Sequence, residues 1–165
     1  MTLYVPTATM EPCTLAEAPR GSLFLPFGAP PLLVGEVDQH DLAIRLGGEN
    51  PFTALAFSRD ERSNVRGVSI GAALFDADPT TAYRGREATY AAGDLILATA
   101  STSIVGVHED GTIFEVAVLG DPHRGPGAGF TSWRVGVIGR HDEFVTIYER
   151  PVHSRRNAAN NNGLS

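Results

Sequence analysis

The stretch Ile104-Val-Gly-Val-His-Glu-Asp-Gly-Thr-Ile-Phe-Glu-Val-Ala-Val-Leu119 restricts what this chain can fold into more than any other. Two runs rich in β-branched and aromatic residues flank His108-Glu109-Asp110-Gly111. Asp-Gly between such runs is the strongest short-range signal for a hairpin. Successive strand side chains point to opposite faces, so Ile113, Glu115 and Ala117 share one face of the return run and Phe114, Val116 and Val118 the other. The second set is wholly apolar and is the expected inward face.

The same material recurs along the chain. Leu32–Val37 and Leu42–Leu46 flank Asp38-Gln-His-Asp41, a second hairpin, and Ser132–Ile138 and Phe144–Tyr148 flank Gly139-Arg-His-Asp-Glu143, a third. Gly21–Phe27 reads as a short edge strand, because Pro26 lacks a donor for one side of a ladder. Residues 52–62 fit both a capped helix after Asn50-Pro51 and an alternating strand, and the β surroundings favour the strand. Val65–Phe75 reads as one long strand loosened by Gly67 and Gly71. Asp78-Pro79 is a capped start, and Tyr83, Glu87 and Tyr90 share a helical face, which predicts a short irregular helix over 79–91. Leu95–Thr99 is a further strand, and the glycine-rich stretch 120–129 is a connection. Strands and turns alternate about every ten residues, with no long helices between them, so the expected class is mainly β. That means an antiparallel β-sandwich, jelly-roll-like, or a barrel of about eight to ten strands, with at most one or two short helices.

Three prolines mark residues 1–20 as an extended N-terminal arm with one short strand at 3–5. Residues 21–152 form a single antiparallel β domain, and 153–165, with Asn160-Asn-Asn162, are too polar to bury anything and form a flexible tail. At 165 residues the chain is long enough to bury a core without staples.

Composition excludes several chemistries. All thirteen basic residues are arginine, so Schiff-base catalysis and a phosphate-loop lysine are absent from the chain. Cys13, the single cysteine, cannot form an internal disulfide or a four-cysteine zinc site, and nothing beside it in sequence activates a thiol. A net charge of −6 argues against a nucleic-acid partner. No apolar run approaches the roughly 18 to 20 residues that a membrane helix needs, and Met1–Pro6 does not read as a secretory signal. The expected location is the cytoplasm or a particle.

Three histidines stand beside acids in expected turns: His40-Asp41, His108-Glu109-Asp110 and His141-Asp142-Glu143. Histidine with carboxylate can bind a divalent metal or relay a proton. If the strands over 112–118 and 132–138 are neighbours, His108 and His141 lie at one end of the sheet. His108, Glu109, His141 and Asp142 are then the candidate metal ligands. Polar residues in turns are also what turns require, and the chain has no His-x-His pair. Pro126 removes an amide from Arg124–Gly129, which therefore reads as a connection and not as a phosphate cradle. Ser69, Ser101 and Ser103 lack a Gly-x-Ser-x-Gly elbow, and Trp133 reads as a core residue.

The expected function is a non-enzymatic β-domain acting through surface contacts, either a structural subunit of a homo-oligomer or a binding module. It needs no cofactor and meets itself or another protein through residues 1–20 and 154–165. The alternatives are a small metal- or ligand-binding β-barrel using the His/acid turns, or a barrel with an apolar cavity for a small molecule.

Overall fold

The computed structural model describes residues 10–60, 65–84, 90–120 and 127–151. Among them the chain is mainly β, with antiparallel sheets that do not close into a barrel. The fourteen described strands are β1 Glu11–Thr14, β2 Ser22–Pro26, β3 Leu32–Val37, β4 His40–Arg45, β5 Ala54–Ala56, β6 Arg66–Ala72, β7 Leu74–Ala77, β8 Ala82–Arg84, β9 Leu95–Ala98, β10 Ser101–Val107, β11 Ile113–Gly120, β12 Ala128–Phe130, β13 Trp133–Ile138 and β14 Phe144–Arg150. Eleven form a large sheet in the order β1-β6-β2-β3-β11-β10-β9-β12-β8, with β4 on β3 and β5 on β4. The other three form a small sheet, β14-β13-β7.

The organising hairpin forms as its pattern requires. β10 and β11 pair antiparallel from Ser101↔Gly120 to Val107↔Ile113. Gly111, at φ +86, closes the intervening turn, where the His108 amide donates to the Thr112 carbonyl at 2.8 Å. Val116 and Val118 are buried in the main core with Phe114 packed against it, while Ile113 on the other face is 40% exposed. The core draws on both sheets: Leu23, Leu33, Ile44, Ile104 and Val116 from the large one meet Trp133, Val135 and Val137 from the small one. This shared interior makes the fold a β-sandwich.

Several expectations need correction. Residues 11–20, expected to be part of an extended arm, are built into the domain. β1 pairs with β6, and Leu15 and Ala18 join Phe24, Leu32, Val34 and Ala43 in a second core on the other face of the large sheet. Arg59 fastens them by donating to the carbonyls of Ala16 at 3.1 Å and Ala18 at 2.9 Å. β2 is not an edge strand, since it pairs with both β3 and β6. Pro26 is tolerated because it occupies the strand's last position.

The run 65–75 is two strands in different sheets. Gly71, at φ +99, precedes the break, and the Ala73 amide donates to the Gly21 carbonyl at 2.7 Å as the chain crosses over. No helix forms over the described part of 79–91. The Asp78 carboxylate does cap Thr80, at 2.9 Å, but a 3-10 turn at Pro79–Thr81 gives way to β8, which pairs with β12. The second hairpin is tighter than expected. Asp38 and Gln39, at φ 48 and 69, make a two-residue turn, so His40 and Asp41 lie within β4. The strand preference within 52–62 holds only at β5, and 61–64 lie outside the described residues. The strand expected at 3–5, the loop segment 121–126 and the tail 153–165 lie outside them too.

Candidate functional site

Trp133 opens β13 on its inward side and donates its indole N–H to the Gly93 carbonyl at 2.8 Å. Phe52, Phe75 and Tyr148 surround its ring at centroid distances of 6.3, 5.9 and 5.7 Å. Directly opposite in the ladder stands Arg150, the last residue of β14, which therefore also points inward. A guanidinium there must have partners. One Nη donates to Asp94 Oδ1 at 2.7 Å and the other to the Ala92 carbonyl at 3.0 Å. The cation also lies 5.4 Å from the centroid of the Phe52 ring.

Asp94 is fully buried, and its second oxygen accepts from the Tyr83 hydroxyl and, at 3.0 Å, from the Ala91 amide. Gly93 permits this close approach. A Cβ there would fall 2.4 Å from the Phe52 ring, and its φ is +87. Phe52 itself has φ +66, a conformation rare for a bulky residue. It is held there by its amide on the Arg45 carbonyl at 2.7 Å and by its own carbonyl, which accepts from Val107 at 3.0 Å. This buried cluster ties the segment before β9, the 46–53 loop and the small sheet together. Its hydrogen bonds from Trp133 and Arg150 to Gly93, Asp94 and Ala92 hold the sheets to one another.

The sequence-expected site residues are distributed differently. β11 neighbours β10 and β3, whereas β13 neighbours β14 and β7, so the turns carrying His108 and His141 belong to different sheets. After Gly120 the chain passes to β12, beside β9, before crossing to the small sheet. His108 and Glu109 are exposed beside a cleft described below, and the His108 ring lies 6.1 Å from that of Phe114. His141 and Asp142 are exposed, and the His141 amide donates to the Glu143 carboxylate at 2.7 Å. Among the described residues no group of three or more His, Cys, Asp or Glu side chains gathers to hold a metal ion. Ser69, Ser101 and Ser103 are buried. Cys13, on β1, has its thiol pushed up from the ordinary cysteine value by burial, the opposite of activation.

Two adjoining cavities flank the turn after β4. One, of about 400 Å³, is lined mainly by apolar side chains, among them Leu15, Pro26, Pro30, Leu32 and Leu55. The other, of about 530 Å³, mixes apolar and polar surface and is the more polar of the two, lined by Asn50, Thr53, His108 and Glu109 among others. Arg45 and Glu49 line both. Nothing in the linear pattern around these residues marks them as a group.

No described helix is long and apolar enough to cross a membrane. No curated protein and no solved structure matches the chain. A family model described as "Uncharacterised protein y4lG" matches residues 12–154, from β1 past the end of β14. The match spans nearly the whole fold, and the chain belongs to the y4lG family.

Proposed function

We propose that this protein is a non-enzymatic β-domain that works through its surface, as a structural subunit of a homo-oligomer or as a binding module. Its contact segments are residues 1–9 and 154–165, since 11–20 are held within the domain, and its setting is the cytoplasm or a particle. The observation that carries this reading is how the buried charges are used. Asp94 accepts from both Arg150 and Tyr83 between the sheets, and Asp94 and Arg150 are buried away from solvent. Large apolar side chains meanwhile remain outside: Phe27 is 70% exposed, Ile138 44% and Leu74 37%.

Leu74 lies opposite Gly136, and Ile138 opposite Phe144, so these side chains share the outer face of the small sheet. A net charge of −6 favours a protein partner over nucleic acid. Light scattering of the full chain at micromolar concentration should give a multiple of the 17.5 kDa chain mass. Deleting residues 1–9 together with 154–165 should reduce it. A monomer that persists at high concentration and takes up no protein partner sinks the proposal. Stoichiometric divalent metal, lost on combining His108→Ala with His141→Ala, would replace it with the metal-binding reading.

A further inference from the structure

The described arginines sort by what satisfies them. Arg20 pairs with Glu36, Arg59 with Asp41, Arg134 with Asp76 and Arg150 with Asp94. Arg66, Arg84 and Arg140 are exposed to water. Arg45 alone among the described residues is a half-buried arginine whose guanidinium has neither an ion-pair nor a hydrogen-bond partner. It stands where the apolar cavity and the more polar one adjoin.

Both volumes fall within the roughly 300–1,000 Å³ range of small-molecule sites, and apolar walls with a few convergent polar groups are the usual composition of such sites. The geometry points to a binding site for a small zwitterion with an aliphatic side chain, an apolar α-amino acid being the simplest example. Its carboxylate pairs with Arg45, which can hold it through two parallel N–H donors. Its ammonium faces Glu49 and Glu109, the two carboxylates that line the more polar cavity. Its side chain lies against Leu15, Pro26, Pro30, Leu32, Leu55 and Val65. The same two carboxylates oppose a phosphate dianion, and an aliphatic acid without an amine leaves them unused.

Amide NMR titration of the full chain with leucine tests this directly, with leucinamide, 4-methylpentanoate and inorganic phosphate as comparison ligands. Leucine should give saturable shifts at residues 45–55 and 107–111. Leucinamide, 4-methylpentanoate and the Arg45→Met variant should each bind about tenfold more weakly or worse, the scale of losing one hydrogen-bonded charge. If Arg45→Met does not fold, Glu49→Gln replaces it, and must weaken leucine while leaving 4-methylpentanoate unchanged. No saturable leucine shift up to about 10 mM overturns the inference, since that corresponds to less than roughly 3 kcal/mol of binding. Equal affinity of Arg45→Met for leucine also overturns it. The site does not depend on the assembly reading. An oligomer that ignores leucine sinks only this inference, and a monomer that binds it but takes up no protein partner sinks only the other.

Discussion

Asp94 has no exposed surface, yet it carries the polar contacts that hold the two sheets in register. Replacing it with alanine leaves the Arg150 guanidinium buried without its counter-charge. Removing one partner of a buried pair costs about 3–5 kcal/mol, so urea denaturation of Asp94→Ala should show that loss. Gly93→Ala tests the neighbouring constraint, where a Cβ meets the Phe52 ring at a φ that alanine avoids. It should destabilise by more than about 1 kcal/mol, the scale beyond which glycine replacement at a positive φ falls.

The turn carboxylates act at the same scale but through acid. Backbone amide and hydroxyl donors hold Asp78, Asp110 and Glu143 below the ordinary carboxylate range. Each therefore favours the folded state above the unfolded-state value. That contribution disappears as pH falls from the ordinary range through the lowered folded value, because the unfolded chain then binds more protons. Denaturant midpoints should accordingly decline on acidification below about pH 4, and Asp110→Asn should flatten part of that decline. A midpoint that is unchanged from neutral pH to pH 3 would show that these carboxylates are not held below their ordinary values in the folded state.

Among the elements, β10 and β11 offer a matched pair of isoleucines. Ile104 is fully buried and Ile113 is 40% exposed. Ile104→Ala should cost about 2–5 kcal/mol, as truncation in a packed core does, and Ile113→Ala should stay near 0.5 kcal/mol. Similar losses at both would mean that the inward face has been misassigned. That face was readable because Phe114, Val116 and Val118 repeat with period two between turn residues, a purely local signal. Three hairpins were legible for the same reason.

What could not be read locally is where each strand finds its neighbour. The break at Ala73 sends β6 and β7 to different sheets, yet the sequence 65–75 has one unbroken strand pattern. Tyr83 sits on a helical face in sequence but is drawn into β8 by pairing with β12 and by its hydroxyl on Asp94. The same limit hid the Asp94–Arg150 pair, whose members are 56 positions apart. In sequence Asp94 is only a polar residue after a glycine, and Arg150 only a charge at a strand end. Arg45 was hidden too, because its relation to His108 and Glu109 exists only once the loop after β4 meets the end of β10.

For the molecule as a whole, the single tryptophan sits between the sheets and reports on their docking. Trp133 is 2% exposed, so its emission should be blue-shifted and poorly quenched by iodide. Its red shift on unfolding should coincide with loss of the far-ultraviolet β signal if the sandwich opens as one unit. Separate transitions would show that the small sheet detaches first. The described sheet edges are poor templates for strand addition. β1 and β7 have four residues each and β1 carries Pro12, β5 and β8 have three residues each, and β14 is interrupted by a bulge. Association of copies is therefore expected through faces and terminal segments more than through sheet extension.

The clamp on Arg150 also bears on mechanics. Because β14 ends in a charge locked between Asp94 and the Ala92 carbonyl, tension arriving through the C-terminal end meets that lock before it can peel the strand. Anything attached beyond residue 151 would hang from a stiff mooring, and slackening it with Asp94→Ala should lower the force at which the last strand tears away.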